Sequence, residues 1–366
     1  MSEATGRDLR ALPKAHLHLH LEGAMRRDTL ASLCSHYGIA LPDDTRGLAF
    51  DNFSGFLKVF WAACDVIRTR DDLARLIREV AEDAAAEGVW WLEPAFDAAR
   101  YSTLRADQPH QLFASQEEGW LFALEAAEAA SHATGVGIGF VSAIDRIMPL
   151  DHAMTRAEVT VDLVRSGRHR IEGGMPCHRG AYPGIVGFGL HGNEEGYPPE
   201  PFAPAFQRVR DRTDLLSVPH AGEIAPHPGG GPASVAAAID HLGAQRIAHG
   251  VLAVEDDALV ARLAAEQICL DVCPTSNLLL KVFPSVAAHP LPKLLAAGVP
   301  CTLGSDDPLL FGATLVDELV LCRERMGLDD KSLAAMARTS FARSGAPRTV
   351  KDAGLKAIES WMSRSE

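Results

Sequence analysis

Alternation of polar and apolar positions is sharpest near the start of the chain. Over residues 13–24 (PKAHLHLHLEGA) it sends His16, His18, His20 and Glu22 to one side of an extended strand, and Leu17, Leu19 and Leu21 to the other. Strand-like runs then recur at 89–96, 135–142, 185–191, 215–220, 246–249, 268–273 and 300–305. With the first they make eight. Helical periodicity fills the gaps, at 116–133, 233–242, 256–266 and 291–297. Residues 26–88 form a long, largely helical excursion before the second strand, and 71–88 is its clearest helix, with an acidic start and a closing glycine. Within it, 52–66 (NFSGFLKVFWAACDV) has the aromatic content of a cover for a barrel mouth. Phe53, Phe56, Phe60 and Trp61 equally suit the core of a helix pair.

Strands alternating with helices imply a parallel sheet, and eight such units fit a closed (β/α)8 barrel of the TIM type. The chain of 366 residues then reads as one catalytic barrel domain over 1–366, with the helical insertion at 26–88 and C-terminal helices over 316–366. Helices at 330–343 and 350–363 pack outside. Loops rich in Pro and Gly, 198–204 and 226–232, fall on the side of the mouth.

Polar residues at the C-terminal ends of barrel strands face the catalytic mouth. Here they are His18, His20 and Glu22; His191 with Gly192; His220 with Glu223; His249; and Ser305, Asp306 and Asp307. Three imidazoles and a carboxylate suit zinc and leave room for an activated water, so His18, His20, His220 and Asp306 are the candidate ligands. A solvated strand with histidines facing water is the plain alternative for the first motif. Glu223, three residues past His220, is placed as a general acid. His249 is placed to hold or deprotonate a metal-bound water, or is a further ligand or a polar residue in a wet mouth. Asp307 faces substrate, or caps the turn before Pro308.

Composition narrows the function. A formal charge of −13 disfavours nucleic acid and anionic membrane as partners and leaves a small molecule. The first residues carry charge where a signal peptide needs an apolar run, and no segment is apolar enough to span a bilayer, so a cytoplasmic protein is expected. Seven scattered cysteines (Cys34, Cys64, Cys177, Cys269, Cys273, Cys301, Cys322) without a C-x-x-C pair read as reduced thiols.

Taken in order, PKAHLHLHLEGA, HAGE, RIAHG, VCPTSN and LGSDDPLLFGATL resemble the adenosine deaminase family of the amidohydrolase superfamily, from about residue 13 to 315. The resemblance implies one zinc in a (β/α)8 barrel and hydrolytic loss of ammonia from C6 of an aminopurine. By position it makes His18, His20, His220 and Asp306 the zinc ligands. Glu223 becomes the acid at purine N1 and His249 the residue that orients and deprotonates the water. It also places His20, Glu22, Gly192 and Asp307 at the substrate, with the Gly192 amide at N3 and Asp307 at N7. Glu22 stands where nucleoside deaminases carry Asp toward the ribose 5′-hydroxyl, and a phosphate there would meet carboxylate repulsion. His16 stands where many members are acidic. Adenosine or a related nucleoside is the expected substrate, with adenine or 6-amino-6-deoxyfutalosine the alternatives.

Other classes fit less well. A binuclear amidohydrolase cleaving amides or esters commonly needs a bridging carboxylated lysine, and none occurs between Lys58 and Lys281, which leaves only a carboxylate such as Glu93. The H-x-E…P-C-x-x-C signature of the small nucleic-acid deaminases is absent. A non-catalytic ligand-binding barrel would have no need of both Glu223 and His249.

Overall fold

A computed structural model of the protein describes residues 6–102, 111–170, 184–225 and 227–364. Eight parallel strands pair in sequence order: β1 (Lys14–His20), β2 (Val89–Phe96), β3 (Gly137–Asp145), β4 (Gly184–His191), β5 (Leu216–Ala221), β6 (Arg246–His249), β7 (Cys269–Val272) and β8 (Cys301–Leu303). The circle closes just past β8. There the Asp306 N–H donates to the His18 carbonyl at 3.2 Å, and the His20 N–H donates to the Asp306 carbonyl at 3.1 Å. This is the (β/α)8 barrel that the strand and helix alternation implies. Two of the expected strands, 89–96 and 246–249, coincide with β2 and β6. The strands are buried on nearly every residue, because one face fills the barrel and the other meets helices.

The first strand departs from its expected form. Its pairing with β2 slips between His16 and Leu19, and both residues line one cavity behind the barrel wall, which strict alternation forbids. His16 is therefore separated from His18 and His20, and its Nε2 accepts from the Ser305 N–H at 3.0 Å. The strand ends at His20, so Glu22 falls in a 3-10 turn, Glu22–Ala24.

The excursion after β1 is three helices, α1 (Arg27–Tyr37), α2 (Phe53–Asp65) and α3 (Arg70–Ala86), with no helix between Tyr37 and Phe53. α3 starts through a capping box: Thr69 Oγ1 accepts from the Asp72 N–H at 3.2 Å, and Asp72 Oδ2 accepts from the Thr69 N–H at 2.9 Å. α2 packs its aromatic stripe on the end of the barrel, with Phe56 stacked on Phe311 at 5.3 Å between centroids. Helices Leu150–Arg165, Ala203–Arg210 and Leu315–Met326 join those read from periodicity. The segment expected as a loop at 198–204 is instead a 3-10 turn, Glu200–Phe202, running into Ala203–Arg210. Pro204 sits in that helix's first turn, where its missing N–H costs nothing. Likewise Gly231–Asp240 begins inside the other Pro/Gly-rich stretch, of which residue 226 lies outside the described residues.

Beneath the mouth, a buried ion network crosses the barrel. Arg246 binds Glu93 at 2.5 Å and Asp271 at 2.8 Å, and donates to the Leu17 carbonyl at 3.2 Å. Charges taken from water need such pairing. Glu93 also accepts from Trp91 Nε1 and the Gly345 N–H, at 2.7 and 2.6 Å. Its carboxylate is thereby committed away from the mouth, against the idea of a bridging role. The six described cysteines are unpaired and buried, while Cys177 lies outside the described residues. Among the described residues no helix is long and apolar enough to cross a membrane.

Candidate active site

His18 and His20 come from β1, His220 from β5 and Asp306 from the segment after β8. Asp306 Oδ1 lies 3.3 Å from both His18 Nε2 and His20 Nε2. Ligand atoms on a tetrahedral ion at roughly 2.0–2.1 Å are themselves about 3.3–3.4 Å apart, so this spacing suits a small cation between them. The rings are aimed by backbone. His18 Nδ1 lies 2.8 Å from the Asp271 carbonyl and His220 Nδ1 2.9 Å from that of Leu190; each must donate, which leaves a lone pair on Nε2. Both Nε2 atoms are buried and form no hydrogen bond, that of His18 lying 3.3 Å from the Asp306 carboxylate. A buried nitrogen with a free lone pair, repeated across the barrel beside a carboxylate, is what a metal would satisfy. Proximity alone groups His249, and not His20, with the other three: ligand atoms of His18, His220, His249 and Asp306 all lie within 4.8 Å of one another, while those of His20 do so with Asp306 and Asp307.

Backbone strain gathers at the same place. His249 and Asp306 take φ of 62° and 59°, left-handed values that cost a non-glycine residue on the order of 1 kcal/mol or more. Barrel closure through both peptide groups of Asp306 holds one of them there.

Glu223 lies beyond His220 in the turn that leaves β5. Its Oε1 is 3.4 Å from His249 Nε2, which is 3.7 Å from Asp306 Oδ2. Burial, then the charges of Asp306 and Glu194, raises the Glu223 pKa well above the usual carboxylate range. Asp307, 1% exposed and with neither oxygen bonded to protein, is pushed up in the same way by burial and by Asp306 and Glu223. Both carboxyls are thus biased toward their protonated forms. Gly192 follows β4 with a φ of 93°, and a Cβ there would stand 2.5 Å from Asp145 Oδ1, so the position excludes a side chain.

A cavity opens over these groups. Its floor is His20, His220, Glu223, His249, Asp306 and Asp307; one side is His191, Gly192 and Asp145; and α2 covers it with Phe53, Phe56, Leu57, Phe60 and Trp61. The aromatic stripe of 52–66 is therefore both core and cavity wall. Glu22 is the exception among the expected site residues. Its Oε1 accepts the Tyr101 hydroxyl at 2.8 Å and it is not among the residues that line the cavity, although its charge still acts on Asp307 and His20.

Several residues that shape the site were not read as part of it. Glu194 accepts the N–H groups of Gly222, Glu223 and Ile224 at 2.9, 3.2 and 3.2 Å, and also the Ser234 hydroxyl, so it fixes the turn that carries Glu223. Arg146 donates to the His220 carbonyl at 2.5 Å. His191, already read with Gly192 among the residues facing the mouth, sits beside His20, ring centroids 5.5 Å apart, and burial holds its pKa down to about 3, which keeps it neutral.

A (β/α)8 barrel with a buried His/Asp cluster at the C-terminal ends of its strands defines a metal-dependent barrel enzyme. The family model described as adenosine deaminase matches residues 13–361. A putative adenosine/adenine deaminase of Streptomyces virginiae is 38% identical over 370 residues, covering 97% of this chain and 98% of that protein. An aminodeoxyfutalosine deaminase of Streptomyces avermitilis is 34% identical, covering 93% and 89% respectively. Among solved structures, an adenine deaminase from Arthrobacter aurescens superposes with a TM-score of 0.81 at 28% identity, over 96% of this chain and 99% of that one. The chain belongs to the adenosine deaminase family and is a hydrolytic deaminase.

Proposed function

We propose that this enzyme hydrolyses the 6-amino group of an aminopurine, adenosine or a related nucleoside first, to the 6-oxopurine and ammonia. One zinc would be held by His18, His20, His220 and Asp306. The observation that carries the reading is the position of Glu223: a buried carboxyl between the cluster and the cavity, 3.4 Å from His249 Nε2. When bound, the metal would act as a Lewis acid that makes water nucleophilic near neutral pH.

The protein's own groups do the rest. Addition to an aromatic C6 requires a proton at N1 as the ring loses aromaticity, and Glu223, protonated through burial, supplies it. N7 is an acceptor, so Asp307 meets it in its protonated form, for which burial and two neighbouring carboxylates are suited. The Gly192 N–H donates to N3, at a position where Asp145 leaves no room for a Cβ. His249 orients the attacking oxygen. The aromatic face of α2 excludes water from the ring.

One observation favours a second reading, free adenine: the carboxylate expected at a 5′-hydroxyl is held by Tyr101 instead. Comparing kcat/KM for adenine, adenosine, 2′-deoxyadenosine, adenosine monophosphate and 6-amino-6-deoxyfutalosine tests both. Ammonia release from at least one supports the aminopurine reading, and the ratio of adenine to adenosine chooses between base and nucleoside. Inactivity on all five by metal-replete protein would remove it.

A further inference from the structure

Two buried polar side chains lie outside the cavity yet connect to it. Asn277, in the helix Pro274–Leu279 after β7, is fully buried, and His289, just before the helix Leu291–Ala296, is 4% exposed. His289 Nε2 is 3.2 Å from Asn277 Oδ1, and Asn277 Nδ2 is 3.2 Å from His249 Nδ1. The chain of contacts therefore ends on the one histidine at the mouth that resembles a metal ligand by distance alone.

Its direction is set at the far end. The Leu291 backbone N–H reaches His289 Nδ1 at 3.3 Å, and a peptide N–H can only donate. His289 Nδ1 must be the acceptor, so the neutral ring carries its hydrogen on Nε2. Burial holds the His289 pKa down to about 4, so neutrality persists at ordinary pH. The Nε2 hydrogen goes to Asn277 Oδ1, which turns the amide nitrogen toward His249. An amide nitrogen also only donates, so His249 Nδ1 accepts and its own hydrogen is on Nε2.

We propose that His289 and Asn277 are positioning residues that lock His249 in its Nε2–H tautomer, so that it presents a hydrogen, and not a lone pair, to the reacting centre. His18 and His220 have the opposite wiring, each Nδ1 facing a carbonyl and each Nε2 keeping its lone pair. The contrast divides four close imidazole and carboxylate groups into those that bind a metal and one that does not. It also removes His249 as a proton acceptor: Nε2 is already protonated, and a hydrogen on Nδ1 would face the Asn277 amide hydrogens. His249 Nε2 makes no hydrogen bond within the protein, with Glu223 Oε1 at 3.4 Å and Asp306 Oδ2 at 3.7 Å, so its hydrogen is available to an oxygen held near those two groups. This inference rests on the proposed function for what that oxygen is, but not for the tautomer.

The test is nitrogen-15 NMR of zinc-loaded protein with labelled histidine, the His249 signals being assigned by their loss in His249→Gln. The expected pattern is a bare Nδ1 and a protonated Nε2 on His249, and the reverse protonation on His18 and His220, whose bare Nε2 faces the metal. Asn277→Asp presents only acceptors, so it should draw a hydrogen onto His249 Nδ1 and invert the pattern. With it, kcat should fall roughly a hundredfold with little change in KM, the scale of losing one aimed donor. His289→Gln, which still offers an N–H to Asn277, should keep both readouts near wild type, whereas His289→Phe, which offers none, should shift both. A protonated Nδ1 on wild-type His249, or an unchanged tautomer in folded Asn277→Asp, overturns the proposal. Should Asn277→Asp not fold, the wild-type spectrum alone decides. The spectrum needs no substrate, so a failed deaminase assay and a failed tautomer assignment remain separate results.

Discussion

The carboxylate of Asp307 occupies the space that a side chain at Gly23 would need: a Cβ on Gly23 would stand 1.6 Å from Asp307 Oδ1. The glycine that closes HLEG and the second aspartate of SDDP, 284 positions apart in sequence, are thus one feature of the cavity wall.

Gly23→Ala should therefore displace Asp307, because the added Cβ would stand 1.6 Å from its Oδ1 and 2.9 Å from its Cβ. The expected outcome is a loss in kcat/KM of roughly tenfold or more, measured at matched metal content. Wild-type kinetics in this variant would show that substrate does not use Asp307 in its present place.

Metal content gives a second prediction. Among the described residues the aimed Nε2 lone pairs and Asp306 make one ligand set, so protein purified without added metal should carry about one equivalent of zinc. Stripping it should lower Tm, because a ligand that binds only the folded state stabilises it. His18→Ala should lose both metal and turnover. Two equivalents held with comparable affinity would contradict a single site.

The pH dependence of stability should report Glu318. It is fully buried on Leu315–Met326 and accepts the Thr275 N–H at 3.0 and 3.2 Å. Burial, only partly offset by those bonds, raises its pKa from 4.5 to about 8. The folded state then binds the extra proton between these values, so this group's stabilisation is complete below about pH 4.5 and is lost as pH rises through 8. Glu318→Gln removes that loss. Its stability relative to wild type should grow by roughly 2–4 kcal/mol from pH 5 to pH 9, measured by denaturant unfolding. Parallel pH profiles would show that Glu318 titrates normally.

Much of this was legible in the chain because a barrel brings strand ends together whatever their separation. His18, His220, His249 and Asp306 needed only the strand count to be placed at one mouth. Glu22 was misplaced because alternation was extended two residues beyond β1 into a 3-10 turn, where side chains no longer alternate. His16 was misplaced by the slip in pairing after it, and irregular pairing leaves no mark in a polar and apolar pattern. Glu194, Asn277 and His289 act through backbone amides or through one another. Neither periodicity nor a metal-ligand spacing marks such partners, and they become visible only when hydrogen-bond directions are followed atom by atom.

The central claim is that a proton from Glu223 carries a metal-dependent hydrolysis of a 6-aminopurine. Its most direct measurement is ammonia release from adenine and adenosine by wild type and Glu223→Gln at equal zinc content. The variant keeps the shape of the side chain and loses the proton. Wild type should turn over at least one of the two, and the variant should be slower by roughly 10²–10⁴-fold with metal and Tm retained. Equal turnover by the two proteins would contradict the account.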